Sequence, residues 1–233
     1  MRTLHMHTPT DAGGRQADQG RRYVPAAGRT ALTPLYDHVM ALTMRERQWR
    51  PQLSQAVLEA VEGGGVVVDV GCGTATQAID LAARRPDLSV IGVDGDPDVL
   101  AIARAKPGAE ELDLREGEAT ALPLDDTSAD AVICSLLLHH LAPNAKRGAL
   151  REARRVLRTG GRLHIADWGR PDNPVAVAGF ALLRLIDGRE GTRDHAAGRL
   201  PGFVTDAQFE HVETTRRVRT VFGTLDCLSA TAA

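Results

Sequence analysis

Between residues 63 and 168 the chain repeats one unit: a short, nearly continuous apolar run, a turn at Gly or Asp, then a segment of helical periodicity. This alternation constrains the fold most. Strands that are apolar at almost every position bury both faces, and helical crossovers between parallel strands supply the cover. "GVVVDV" (65–70) reads as the first strand, "SVIGVD" (89–94) as the second, "ADAVICSLL" (129–137) as the third and "GRLHIADW" (161–168) as the fourth. Asp96 and Pro97 offer an N-cap and a preset first turn to the helix after the second strand. The helix before the fourth strand turns Leu150, Ala153 and Val156/Leu157 inward and carries a solvated basic side of Arg151, Arg154, Arg155 and Arg158. Residues 211–232 break the rhythm with two extended runs around Gly223 and no helix, so a hairpin adds antiparallel pairing at one edge.

With 233 residues, 43% of them apolar, the chain can bury one sizeable core. A formal charge of −2 gives no general attraction to nucleic acid or anionic membrane, and neither is expected as a partner. Cys72, Cys134 and Cys227 lack CxxC spacing, and His5 and His7 lack companion ligands, so no disulfide framework and no metal site are expected. There is no signal-like segment at the N-terminus and no apolar run of bilayer length, which predicts a cytoplasmic protein without stable membrane insertion. Residues 1–30 read as a mobile N-terminal arm, and two amphipathic segments joined near Pro51 within 31–62 read as cap helices. The remainder to residue 233 forms one domain, with 169–200 as a lid insertion.

The first strand, Gly71, Gly73 and the helix starting near Thr74 place backbone N–H groups and a positive helix terminus at the carboxyl edge of the sheet, where a polar ligand is expected. Thr76 replaces the third glycine of a dinucleotide fingerprint, and no Gly-Lys-Ser/Thr phosphate loop is present. Asp69 stands at the strand end, where it repels a pyrophosphate and welcomes an ammonium group. Asp94 closes the second strand, 21 residues after Gly73, within reach of ribose hydroxyls. A nucleoside with a cationic tail fits both acids, and S-adenosylmethionine is such a molecule. Nicotinamide-dependent oxidation is the lesser alternative, disfavoured by Asp69, Thr76 and the hairpin.

"VVVDVGCGTAT", "VIGVDGDPDVLAIARA", "GEATALPLDDTSADAVICSLLLHHL" and "EARRVLRTGGRLHIADW" resemble, in order and spacing, the successive motifs of class I S-adenosylmethionine-dependent methyltransferases, nearest the ubiquinone/menaquinone-biosynthesis-like branch. The resemblance covers roughly residues 35–230 and implies a Rossmann-like mixed seven-stranded sheet with helices on both faces. It implies that Asp69, Gly71 and Gly73 hold the methionine end of the cofactor and Asp94 the ribose. Gly95 and Asp96 then lie beside the adenine, Glu118 and Ala119 meet its edge, and Ser135 lies near the amino acid group. Cys72, inside the glycine loop, is expected to pack at the cofactor turn, not to act as a nucleophile. The sequence departs from the family at Ala75, where a glycine is usual, and at Glu118, where an aspartate is usual. The alanine is harmless there if its dihedrals are helical.

The implied reaction is in-line methyl transfer to a small-molecule acceptor, for which alignment and exclusion of water suffice and a base is optional. His139, His140 and Asp167 follow strands at the carboxyl edge and are the candidate catalytic residues. Tyr36, Trp168 and Arg193 are the candidate acceptor contacts, from the cap helices, the fourth strand and the lid. A non-catalytic S-adenosylmethionine-binding or regulatory protein is the other alternative.

Overall fold

The computed structural model describes residues 44–186 and 188–233. The predicted arm, Tyr36 and the first part of the cap lie outside the described residues. Seven strands form one sheet: β1 (Val66–Val70), β2 (Ser89–Asp94), β3 (Asp113–Glu116), β4 (Ala129–Ser135), β5 (Leu157–Trp168), β6 (Phe209–Thr220) and β7 (Gly223–Ala232). Their spatial order is β3-β2-β1-β4-β5-β7-β6, with β1 to β5 mutually parallel. β7 runs antiparallel between β5 and β6, so the expected hairpin supplies both antiparallel strands.

Alternation along β1 decides which helices cover which face. Val68 and Val70 join a cluster with Val93, Leu150, Val156 and Phe203, while Val67 joins Trp49, Leu53, Val57 and Leu81 on the other side. α4 (Pro143–Val156) and α7 (Leu200–Asp206) thus cover one face, and α1 (Glu46–Ala60) and α2 (Thr76–Arg84) the other. Each such Leu or Val side chain contributes about 1.5–3 kcal/mol on leaving water. The remaining helices are α3 (Pro97–Arg104), α5 (Pro174–Ile186) and α6 (Arg189–Ala196).

Two elements differ from expectation. α1 runs through Pro51 as one helix and packs against β5 and α2. The proline removes one backbone hydrogen bond, but burial of Trp49, Leu53 and Val57 and the Glu46–Arg50 ion pair at 2.7 Å hold both sides of it in one helix. β3, with the sequence "DLRE", was not anticipated. It is an edge strand with a single neighbour, half-buried at best, and therefore shows no apolar run.

Residues 169–200 hold α5 and α6. α5 buries Ala176, Phe180 and Leu183, the last two with Trp168, and leaves Val175, Val177, Leu182 and Leu185 exposed. No helix among the described residues is long and apolar enough to cross a membrane.

Candidate active site

The turn after β1 requires its glycines. Gly71 (φ 68°) and Gly73 (φ 55°) are left-handed, and a Cβ on Gly71 would approach Leu137 Cδ1 to 2.7 Å. Ala75 is left-handed too, at φ 58° and ψ 22°, so the condition under which an alanine would be harmless here is not met; α2 begins one residue later, at Thr76. The backbone N–H groups of the turn are already used. Gly71 and Cys72 donate to Val93 O at 2.8 and 3.1 Å, and Gly73 donates to Asp94 Oδ2 at 2.8 Å. The turn is therefore stitched to the end of β2 instead of presenting these donors to a ligand. Cys72 is buried beside Gly92, and burial pushes its thiol up, away from nucleophilic character.

Two carboxylates face this turn. Asp69 is 1% exposed, and its Oδ1 has no hydrogen-bond partner among the described residues. Burial pushes its carboxyl up to about 7, against the pull of Arg50 and with a further push from Asp94. Asp94 lies near enough to couple with it; burial raises its carboxyl as well, while N–H donors from Asp96 and Gly73 draw it back. Asp94 Oδ1 accepts from Asp96 N at 3.0 Å, and Asp96 in turn caps α3 by accepting from Asp98 N and Val99 N. Glu118 sits against Gly95, where a Cβ would meet its Oε1 at 3.5 Å, and Ala119 follows it in the chain. Ser135 ends β4 with a buried hydroxyl that has no partner among the described residues.

The other half of the site forms where β5 ends. Asp167 is fully buried, and its Oδ1 lies 2.8 Å from His139 Nδ1. Its oxygens also accept from Leu138 N (2.8 Å), His139 N (3.3 Å) and Trp168 N (2.7 Å). Burial raises the carboxyl, but the charge of His139 and these donors outweigh it and hold Asp167 below the usual carboxylate range. An ionised Asp167 only accepts, so His139 carries its proton on Nδ1 and keeps Nε2 as the basic nitrogen. The His140 ring lies against that of His139, tilted by 41° with centres 3.9 Å apart, and the Trp168 ring meets His139 edge-on at 6.2 Å.

His195 and Lys146 were missed by the sequence reading. His195, on α6, is 1% exposed and bonds Trp168 O through Nδ1 at 2.7 Å, with Asp167 Oδ1 3.8 Å away. Lys146, on α4, is fully buried and donates to Gly191 O. Gly191 itself lies so close to His139 O that a Cβ would reach it at 2.1 Å. Lys146 had a legible signal: it stands one turn before Leu150 on the inward stripe of its helix, where a charge is out of place. Gly191 and His195, at i and i+4, share a helix face in the same way. Arg193 points elsewhere, into a cavity on the outer side of α6.

A family model described as "Methyltransferase domain" matches residues 67–161. The demethylmenaquinone methyltransferase of Deinococcus radiodurans is 35% identical over 157 residues, which are 65% of this chain and 63% of that protein. The ubiquinone/menaquinone biosynthesis C-methyltransferase UbiE of Syntrophotalea carbinolica is 32% identical over 180 residues, 75% of this chain and 70% of that one. The chain belongs to the class I S-adenosylmethionine-dependent methyltransferases. It resembles the ubiquinone/menaquinone-biosynthesis-like branch of that family. Among solved structures, the YcgJ protein of Bacillus subtilis superposes with a TM-score of 0.57 at 25% identity, over 72% of this chain and 71% of that one.

The family cofactor is S-adenosylmethionine, and the residues present fit it. A methyltransferase of this class has to satisfy a cationic amino acid end and a ribose at the β1–β4 switch point. Here that edge offers the unpartnered Asp69 oxygen and Ser135 hydroxyl, two left-handed glycines with open space at Gly73, and the Asp94 carboxylate.

Proposed function

We propose that this protein transfers a methyl group from S-adenosylmethionine to a small-molecule acceptor of quinone type, with His139 taking the proton the acceptor releases. The observation that carries the reading is Asp69: a carboxylate with a buried oxygen that has no partner among the described residues costs stability, and a cationic ligand offsets that cost. Asp69 and Ser135 hold the methionine end and Asp94 the ribose. Gly71, Cys72 and Gly73 shape the floor, and Gly95, Asp96, Glu118 and Ala119 border the adenine.

The bound sulfonium supplies an already activated methyl group. The chain then has to align the acceptor, keep water out and receive a proton. With the cofactor bound, its methyl group would be supplied to the acceptor carbon or oxygen, and His139 would receive the proton that the acceptor gives up. Asp167 touches no substrate on this reading; it is a positioning residue that fixes the His139 tautomer and steadies the imidazolium. Trp168 and His140 wall the acceptor side, and the apolar residues of α5 favour an acceptor with a greasy body. The names of the relatives support a quinone-type ring.

The test is labelled methyl transfer from S-adenosylmethionine to demethylated quinols in reconstituted extracts. Transfer to a quinol ring is the expected result. Cofactor binding with no transfer to any extract component would return the chain to the non-catalytic alternative.

A further inference from the structure

We propose that the cavity between α4, α6 and α7 is a binding site for the oxyanion of a small molecule, a phosphate or a carboxylate, separate from the methyl-donor edge. The cavity measures about 550 Å³, a size typical of small-molecule sites. Arg147, Arg193 and Arg199 line it, each from a different element or loop, together with Phe203, Asp194 and Asp206.

Three features aim these groups at an anion. The Arg147 guanidinium lies 4.7 Å over the Phe203 ring, which holds its planar fork in place. Arg147 and Arg193 are both exposed, and neither has an ion-pair partner among the described residues, so both guanidinium groups are open to a ligand in the cavity. Pro143, at the first turn of α4, also lines the cavity, and that 14-residue helix has no side-chain cap and no acid in its first turn. Its positive terminus adds to the arginine field.

The two acids do not cancel this field. Asp194 is 5% exposed and already spoken for, with Lys146 Nζ and Arg199 Nη1 each at 3.5 Å. Asp206 alone remains as a counter-charge, against the two guanidinium groups of Arg147 and Arg193. Paired oxygens of phosphate or carboxylate match the guanidinium fork, whereas chloride does not.

The site is also tied to the catalytic half. Lys146 joins Asp194 to Gly191 O, and Gly191 packs against the His139 backbone. An anion drawing Arg199 toward the cavity acts on a carboxylate one step from that contact.

The experiment is calorimetric titration of the full chain with inorganic phosphate and, separately, citrate, at constant ionic strength set with sodium chloride, with and without saturating S-adenosylmethionine. One saturable site is expected, and the tighter of the two probes identifies the oxyanion class. Arg147→Gln with Arg193→Gln should weaken it at least tenfold while S-adenosylmethionine affinity stays within twofold, which also shows that the variant is folded. Arg193→Lys should lose less than Arg193→Gln. The proposal is overturned if neither probe binds saturably above chloride, if the double variant binds as the wild type does, or if the probes compete with S-adenosylmethionine. Failure of cofactor binding in the same titrations would count against the methyl-transfer reading alone.

Discussion

The Asp167 carboxylate and the His139 imidazole meet at 2.8 Å, both buried, between the end of β5 and the short helical turn that follows β4. An ionised acceptor on one side of the ring decides which nitrogen is basic on the other.

If that pairing serves proton transfer, Asp167→Asn keeps the shape of the side chain and loses the tautomer control. Turnover should fall roughly 100-fold or more, with KM and cofactor affinity nearly unchanged. His139→Ala should fall by a similar factor, and the double variant little further, because the two act as a unit. Rates measured from pH 5 to 9 settle it: a wild-type limb on the acid side that is missing in His139→Ala is the expected pattern. Two near-normal single variants would leave alignment as the whole of catalysis.

Asp69 makes cofactor affinity depend on pH. Its carboxyl ionises at about 7 in the cofactor-free protein, and a cationic ligand binds the ionised form. Protons therefore compete, and affinity for S-adenosylmethionine should weaken up to about tenfold for each pH unit below 7. Asp69→Asn should bind weakly at every pH. It should also be more stable than cofactor-free wild type at pH 8, because the wild-type fold loses stability as pH rises from about 4 to 7 and this buried group gives up its proton. Calorimetry and urea unfolding at pH 5 and 8 measure both effects.

His164 acts in the opposite direction. It lies buried in β5 with Nε2 unpartnered among the described residues, and burial, aided by Arg162, pulls its pKa down to about 4. The unfolded chain takes up a proton near pH 6.5 that the folded chain refuses, so stability is present above that pH and drains away as pH falls toward 4, by up to about 3 kcal/mol. His164→Leu should flatten this slope. Parallel unfolding curves at pH 4.5 and 7 for the two proteins would remove His164 as the cause.

Ala75 carries a left-handed backbone at a cost of about 1–2 kcal/mol for a residue with a Cβ. Ala75→Gly relieves that cost but gives up a buried methyl of about 0.8 kcal/mol, so the net change should lie within ~1 kcal/mol of zero. Ala78→Gly, in the body of α2, has nothing to relieve and should destabilise by about 2 kcal/mol. Equal losses at the two positions would contradict the strain at Ala75.

The parts legible in the sequence were those with a repeated physical cause. Strands buried on both faces wrote themselves as valine runs, the Asp96–Pro97 cap wrote itself as a turn, and Asp69 and Asp94 stood out as charges ending apolar strands. The edge strand β3 left no such mark, because one exposed side removes the need for apolar residues. The left-handed backbone at Ala75 had no mark in the residue itself, since nothing in an alanine shows that neighbours will force its φ; only the glycine usual there in the family hinted at it. The capture of the turn's N–H groups by Val93 and Asp94 depends on how β1 and β2 pair, which no local pattern records. His195 was hidden by its surroundings: a stretch rich in charge reads as solvated until the fold buries part of it.

The strand order sets a timetable for synthesis. β5, which carries Asp167, lies between β4 and β7, and β7 comprises residues 223–232. A growing chain can pair β1 to β5 early, yet the Asp167 strand keeps one bare edge until residues 223–232 have left the ribosome. The hairpin has to slip in beside it with β7 innermost, a long-range pairing of the kind that forms slowly. Cofactor-side contacts on β1 and β2 are thus ready well before the strand that holds the histidine, and a nascent chain acquires a place for the methyl donor sooner than it acquires a finished reaction centre.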